Sequence, residues 1–309
     1  MLNDQGMALT SDVIAAADWI YQNKGAYGIR VANFSLHSVK PSSFRHDPLD
    51  KAVEELWFGG VVVTAAAGNY AQGGEPSGVL YAPANDPFVL TVGAIDVNGT
   101  TDSSDDFNAP WSSFGKTPDG FAKPELGAPG RFMIGAVPPN SGMPAEQPDR
   151  VIAPGFMRLS GTSFAAPIAA GAAADLLALH SNWTPDQVKG ALMVSAKPIS
   201  ALASPLSEGV GELKVDAAQQ VTSPPNPNAA LDQFLIPDPN GGSTPVFDAP
   251  SWYDTVTTNP LWDAVSWSDV SWSDVSWSDV SWSDVSWGDG SVSDSRSAAV
   301  SWAALAWVD

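Results

Sequence analysis

The sequence contains no cysteine. A disulfide framework and a thiolate metal site are both excluded, and the redox compartment is left open. Positive charge is scarce as well. Lys and Arg number 14 against 34 Asp and Glu, giving a formal net charge of −20 and a pI near 4.2. Such a surface repels polyanions, and no basic patch offers nucleic acid a footing. Histidine occurs three times, at His37, His46 and His180. Long apolar runs are missing too. The longest small or apolar stretch, residues 163–179, is broken by Pro167, Gly171 and Asp175, so no membrane span is expected. The opening "MLNDQGMALTSDV" has no charged segment followed by an apolar one and does not read as a signal peptide.

What is present alternates between helix and strand. "SDVIAAADWIYQN", residues 11–23, has a helical period with Ser11 as N-cap. Val13, Ile14, Ala17, Trp19 and Ile20 share its broad apolar face, and Gly25 and Gly28 end it. "IRVANFSL" from Ile29 reads as a buried strand, residues 47–58 as a helix closed by Gly59 and Gly60, and "VVVTAAAGN" and "FVLTVGAI" as two more strands. Uninterrupted apolar strands between helices predict an α/β fold with a parallel sheet covered on both faces. Ligand chemistry on such a sheet gathers at the carboxyl ends of its strands. Gly68-Asn69 closes one strand there, and Ser35-Leu36 closes another. Further on, Thr184, Pro185 and Gln187 form a capping box that opens a helix, and "GVGELKVDAAQQV" from Gly209 suggests a short strand and turn.

Composition changes near Thr222. Residues 223–250 are rich in Pro, Asn and Gly and read as a linker. Residues 251–309 form a low-complexity tail in which Trp262, Trp267, Trp272, Trp277, Trp282 and Trp287 recur every five residues. Nine of the 13 tryptophans lie beyond Ser251, which assigns that aromatic load to the tail and not to the core. A period of five turns successive rings to opposite faces of a strand. On a helix it spirals them around the axis. The alternatives are a flexible or partly ordered tail, a strand-like module that folds on a partner, and a small solenoid.

Residues 159–180 read "LSGTSFAAPIAAGAAADLLALH". A serine at the mouth of such a helix sits among unpaired backbone N–H groups at the positive end of the dipole. That place suits an oxygen that turns negative as a carbonyl is attacked. On helix physics alone, an N-cap serine on a buried alanine helix explains Ser163 equally well. The whole string "GTSFAAP" decides between them, because it resembles the nucleophile motif of the subtilases, the subtilisin-like serine proteases. "VVVTAAAGN", "YAPANDPFVLTVGAID", "WSSFGKTPDGFAKPELGAPG" and "GIRVANFSL" resemble other family segments in the family's order, over about residues 2–221. The resemblance implies a three-layer subtilisin-like fold with residues 1–222 as a peptidase domain. It implies Ser163 as nucleophile and Asn69, after Gly68, as the side-chain donor to the oxyanion. It also implies Ser35 and Leu36 as the backbone segment that pairs with an extended substrate. His37 stands where the family usually has glycine.

The base is missing. A serine hydroxyl needs a neighbour to take its proton. In this fold the triad runs Asp, His, Ser along the chain, yet neither "HGTH" nor "D-[ST]-G" precedes Ser163. His180 lies about 25 Å from Ser163 by helix rise and is expected at the helix C-terminus. His37 is expected near the cleft edge in a surface or loop role, and His46 in a polar loop. The chain is therefore read as N-terminally incomplete, a fragment expected to show little or no protease activity by itself. Its alternative is a noncatalytic relative that works through its Trp repeat. Polypeptide substrates, an extracellular or envelope location and a tail that binds envelope polymer or protein are the expected partners and place. No redox or nucleotide cofactor is implied. Structural calcium is possible for the family, and Asp102, Asp105 and Asp106 offer carboxylates for it, though a solvated loop explains them.

Overall fold

Four strands, β2 (Val31–Phe34), β4 (Val62–Ala66), β5 (Leu90–Asp96) and β9 (Leu126–Pro129), run parallel in one sheet. A computed structural model supplies this architecture and describes residues 7–138, 141–199, 207–258 and 299–301. β6 (Phe107–Asn108) adds an antiparallel edge to β5. Every residue of β4 and β5 is buried, as a strand covered on both faces requires. The long helix α4 (Thr162–Leu179) lies along β2, β4, β5 and β9, while α2 (Pro48–Phe58) packs on β4 and α1 (Thr10–Tyr27) packs on α2. By length and composition α4 is apolar enough to cross a membrane. Here Ala165, Ala166, Ala169, Ala172, Ala173, Leu176 and Leu177 bury one side of it in the core.

Shorter elements surround this sheet. β1 (Met7–Leu9) leads directly into α1, and β3 (His37–Ser38) follows β2. β7 (Gly115–Lys116) pairs with β8 (Ala122–Lys123). β10 (Met133–Ala136), β11 (Val151–Ala153) and β12 (Phe156–Leu159) make an antiparallel sheet around the short helix α3 (Met143–Glu146). Phe132, Ile134, Ile152 and Phe156 of that region are exposed, and Val137, Met157 and Leu159 form a small core of their own. After α4 come α5 (Pro185–Val194), α6 (Val215–Ala218), α7 (Ala229–Asp232), β13 (Leu235–Ile236), β14 (Val246–Phe247), α8 (Ala249–Thr258) and β15 (Ala299–Ser301).

Local signals and tertiary packing agree at several termini. Asp47 caps α2 by accepting from the Leu49 N–H at 2.8 Å. The Thr184 hydroxyl accepts from the Gln187 N–H at 3.2 Å, and Gln187 Oε1 accepts from the Thr184 N–H at 2.9 Å. α1 differs from expectation. It begins at Thr10 behind Leu9, with no side-chain cap, because β1 runs straight into it and leaves Leu9 as the last extended residue. It ends on Gly28 at φ 65°, so Gly25 is interior. Its buried stripe is Thr10, Val13 and Ala17. Trp19 is exposed and lies against Tyr27, ring centroids 5.6 Å apart.

Two further expectations give way. Residues 209–221 form isolated bridges, Leu126 with Gly209 and Gly127 and Lys197 with Glu212, followed by α6. The stretch 223–250, read as a linker, is ordered against the core. β13 pairs with β14, Phe234 and Phe247 are buried, and Asn228 accepts from Lys189 Nζ at 3.1 Å. Trp252 belongs to the core too. It is 2% exposed and stacks on Phe121 at 5.4 Å. Proline and asparagine marked irregular backbone correctly; the widely spaced aromatics that anchor it carried no periodic signal. The Trp262–Trp287 repeats lie outside the described residues.

Candidate active site

Ser163 stands in the first turn of α4, 9% exposed, behind Gly161 at φ 156° and ψ 154°. That backbone favours glycine, and it lets the chain reverse from β12 into the helix. The turn is braced by the Gly161 N–H donating to the Gly130 carbonyl at 2.9 Å. A Cβ on Gly130 would stand 2.7 Å from Ala94 Cβ and 3.2 Å from Ala165 Cβ. The glycine of "APG" is thus a packing requirement beneath the site.

Asn69 is locked from one side only. Its Oδ1 accepts from the Thr162 N–H at 3.0 Å and from the Thr162 hydroxyl at 3.1 Å. Thr162 Oγ1 in turn accepts from the Gly68 N–H at 3.1 Å. The carbonyl end of the carboxamide is therefore tied to the residue before Ser163, and the amide end is left to donate elsewhere. Asn69 Nδ2 lies 3.5 Å from where a Cβ on Gly161 would be, which places it beside the helix entrance. Gly68, at φ 107°, allows the turn. Ser113 fixes it, its N–H donating to the Gly68 carbonyl at 2.9 Å and its hydroxyl accepting from the Tyr70 N–H at 3.0 Å.

Ser35 meets Ser163 directly. The Ser163 hydroxyl donates to the Ser35 carbonyl at 3.4 Å, and the Ser35 hydroxyl donates to the Ser163 carbonyl at 2.8 Å. Strand end and helix start are joined by this reciprocal pair. Leu36 is half-buried against the main core. Ser163, Asn69, Gly68 and Ser35 are thus gathered around one helix N-terminus, and Leu36 follows Ser35 in the chain. Thr162, Ser113 and Gly130 are the partners that sequence reasoning did not single out, although all three lie inside quoted motifs.

No histidine bonds to the Ser163 hydroxyl. His37 is 3% exposed, which corrects the expected surface or loop role. Its Nδ1–H donates to the Ser38 carbonyl at 2.5 Å, and its Nε2 accepts from the Tyr70 hydroxyl at 2.7 Å. Both ring nitrogens are used by the neutral tautomer, and burial lowers the ring's pKa. Tyr70 keeps its proton well past neutrality, since burial and then the Tyr81 phenol push it up to about 12. The Tyr81 ring lies 4.9 Å from His37, so the imidazole is a wedged core group. His46 is exposed. His180 caps α4 through its backbone and stacks on Trp183 at 3.9 Å.

The carboxylates of Asp102 and Asp105 are engaged within their own loop. Asp102 accepts from the Ser104 N–H, and Asp105 accepts from Thr100 and Asn98. Asp106 is buried, and burial followed by the Glu212 carboxylate pushes it up to about 6. Among the described residues no group of three or more His, Asp or Glu is placed to hold a metal. Elsewhere an oxygen-lined position is filled by an ammonium. Lys189 Nζ donates to the Pro87, Phe88 and Val89 carbonyls at 3.0, 3.0 and 3.3 Å and pairs with Glu125 at 2.9 Å. Lys123 pairs with the same Glu125 oxygen at 2.6 Å, and its burial lowers it to about 8.

Comparison with known proteins places this geometry. The family model described as the subtilase family matches residues 1–224. Serine protease AprX of Bacillus subtilis is 38% identical over 194 residues, 61% of this chain and 43% of the relative. Subtilisin DY of Bacillus licheniformis is 31% identical over 220 residues, 71% of this chain and 66% of the relative. The chain therefore spans less than two thirds of either protein. Among solved structures, fervidolysin from Fervidobacterium pennivorans, described as a keratinolytic enzyme related to subtilisin, superposes with a TM-score of 0.53 at 26% identity, covering 70% of this chain and 29% of its own. The prenylagaramide maturation protease PagA superposes with a TM-score of 0.50 at 28% identity, covering 68% of this chain and 66% of its own.

Proposed function

The chain belongs to the subtilase family, and from that premise we propose that it is the C-terminal portion of a serine endopeptidase whose general base lies outside these 309 residues. The observation that carries this reading is the one-sided lock on Asn69. With Oδ1 held by Thr162, the amide is turned to donate toward the oxygen that forms when the Ser163 hydroxyl attacks a carbonyl. In the whole enzyme a base takes the Ser163 proton as Oγ bonds to the scissile carbonyl carbon. The negative oxygen is held by Asn69 Nδ2–H and the Ser163 N–H. The leaving amine departs with a proton, and water then releases the acyl group and restores the hydroxyl. Loss of a single such donor costs about 10²–10³ in rate, a figure set by an asparagine in subtilisin, a member of this same family. Substrates are polypeptides, held in extended form along Ser35 and Leu36. Location outside the cell or at its envelope follows from the family.

By itself the chain is proposed to be nearly inactive. Ser163 has a carbonyl for its partner, and a carbonyl cannot take a proton. A fluorophosphonate probe incubated with the purified 309-residue chain is expected to label Ser163 weakly. Strong labelling overturns the missing-base reading. Translating the genomic sequence upstream of Met1 tests the remainder: an in-frame "HGTH" supports the fragment, and a stop codon followed by a ribosome-binding site overturns it.

A further inference from the structure

β1, β15 and β3 form a sheet separate from the main one, in the order β1-β15-β3. The central strand comes from the far end of the chain. β15 is antiparallel to both neighbours, with Ala299, Val300 and Ser301 opposite Leu9, Ala8 and Met7 on one side. On the other side Val300 and Ser301 face Ser38 and His37. β3 begins one residue after Leu36, and Ser35 is bonded to the Ser163 hydroxyl. The strand between β1 and β3 is therefore paired to a segment that starts two residues after Ser35.

Without β15, the facing edges of β1 and β3 would each present unpaired backbone groups, a template for any extended peptide. Such a slot reads main chain and is tolerant of side chains, excluding proline where an N–H is needed. Its walls are set in advance. β3 is held by the His37 contacts to Tyr70 and Ser38 and by the Ser38 N–H donating to the Ala82 carbonyl at 2.8 Å, and β1 continues into α1. The sequence also explains why this part of the tail is chosen. Val-Ser-Trp recurs through the repeats, preceded by Asp at Asp269, Asp274, Asp279 and Asp284 and by Ala264 in a copy flanked by Asp263 and Asp269, whereas the copy at 300–302 lies in a stretch, 297–308, with no charged residue. In a chain of net charge −20, the uncharged copy enters a protein edge at the least electrostatic cost. Tethering further raises its local concentration to about the millimolar range.

We propose that Ala299–Ser301, by filling the slot between β1 and β3 in cis, acts as a built-in competitor, so that an incoming extended polypeptide must displace the chain's own tail. The claim that this polypeptide is a substrate rests on the protease reading; the pairing does not.

The test is amide hydrogen exchange on the 309-residue chain, on Val300→Pro, which removes the central donor, and on Val300→Thr, which keeps it. The amides of β4 and β5 report that each variant is folded. The expected result is at least tenfold faster exchange at residues 7–9 and at His37 in Val300→Pro, no change in Val300→Thr, and recovery of protection when the synthetic peptide Ala-Ala-Val-Ser-Trp-Ala is added. A second form ending at Arg296 is expected to behave as Val300→Pro and to bind that peptide at least tenfold more tightly than the full chain. Unchanged protection in both Val300→Pro and the shortened form overturns the proposal, as does failure of the peptide to restore it. These readouts need no catalysis, so they stand apart from the fluorophosphonate result that judges the protease reading.

Discussion

Thr162 does more at this site than its place in "GTS" announces. Fully buried, it accepts from Gly68 and donates twice to Asn69. Replacing it with valine keeps the shape and the N–H donor but strands the Gly68 N–H. Thr162→Val is expected to lower stability by about 1–3 kcal/mol, the usual cost of an unsatisfied buried donor, measured by urea unfolding. A cost near zero would show that the clamp is not what fixes Asn69. Titration supplies a second residue-scale expectation. Burial pushes Glu208 from 4.5 up to about 7, and the Ile199 N–H donating to Oε1 only partly opposes it. The folded state therefore holds a proton that the unfolded chain releases near 4.5. This contribution favours folding below that pH and fades as pH rises through about 7. Glu208→Gln keeps the acceptor and removes the titration, so its urea midpoint should fall less between pH 5 and pH 8 than that of the unaltered chain. Equal falls would place the pH dependence elsewhere, in the buried carboxylates Asp50, Glu54 or Asp86, all of which burial raises.

At the scale of elements, what could be read from sequence was what local rules control. Asp47 and Thr184 announced their helices because a side-chain cap is a short-range bond. The continuous β-branched run "VVV" announced β4 because a strand buried on both faces needs no alternation. The turn into α4 was legible for the same reason, since Gly161, Thr162 and Ser163 are adjacent. The fate of residues 223–258 was not legible. Its anchors, Asn228, Phe234, Phe247 and Trp252, are far apart in sequence and meet Lys189, Phe44, Phe88 and Phe121 only in the fold. His37 was misplaced likewise, because Tyr70 and Tyr81 reach it from distant loops. α5 shows how tightly this added segment is docked. A Cβ on Gly190 would stand 1.9 Å from the Pro225 carbonyl oxygen, and backbone cannot yield as a flexible side chain does. Helix propensity favours alanine over glycine by about 1 kcal/mol, yet overpacking typically costs about 1–3 kcal/mol. Gly190→Ala is expected to be net destabilising, with a lower thermal midpoint and faster exchange at residues 229–258. A raised midpoint would mean that residues 223–258 are held more loosely than these contacts describe.

For the whole molecule, an open edge and a strong charge act against each other. β2 pairs with β4 on one side and, among the described residues, has no strand on the other. Its Ala32 and Phe34 are buried, while Val31 is half-buried and Asn33 exposed. An unpaired edge of this kind invites a second copy. What opposes association is a net charge of −20 at pH 7, which two approaching copies both carry. Repulsion of that sort is long-ranged only in dilute salt, since the screening length shrinks from about 30 Å at 0.01 M to about 3 Å at 1 M. Hydrogen bonding along the edge acts at contact and is screened far less. Salt should therefore unmask the edge: light scattering from the purified chain at pH 7 is expected to rise as sodium chloride is raised from 10 to 500 mM. Val31→Lys puts a charge on the edge itself, where it must be desolvated for pairing, and should suppress that rise although it lowers the net negative charge by one unit. If net charge alone governed association, Val31→Lys would scatter more than the unaltered chain at every salt concentration, so the sign of that difference separates edge pairing from simple colloidal attraction.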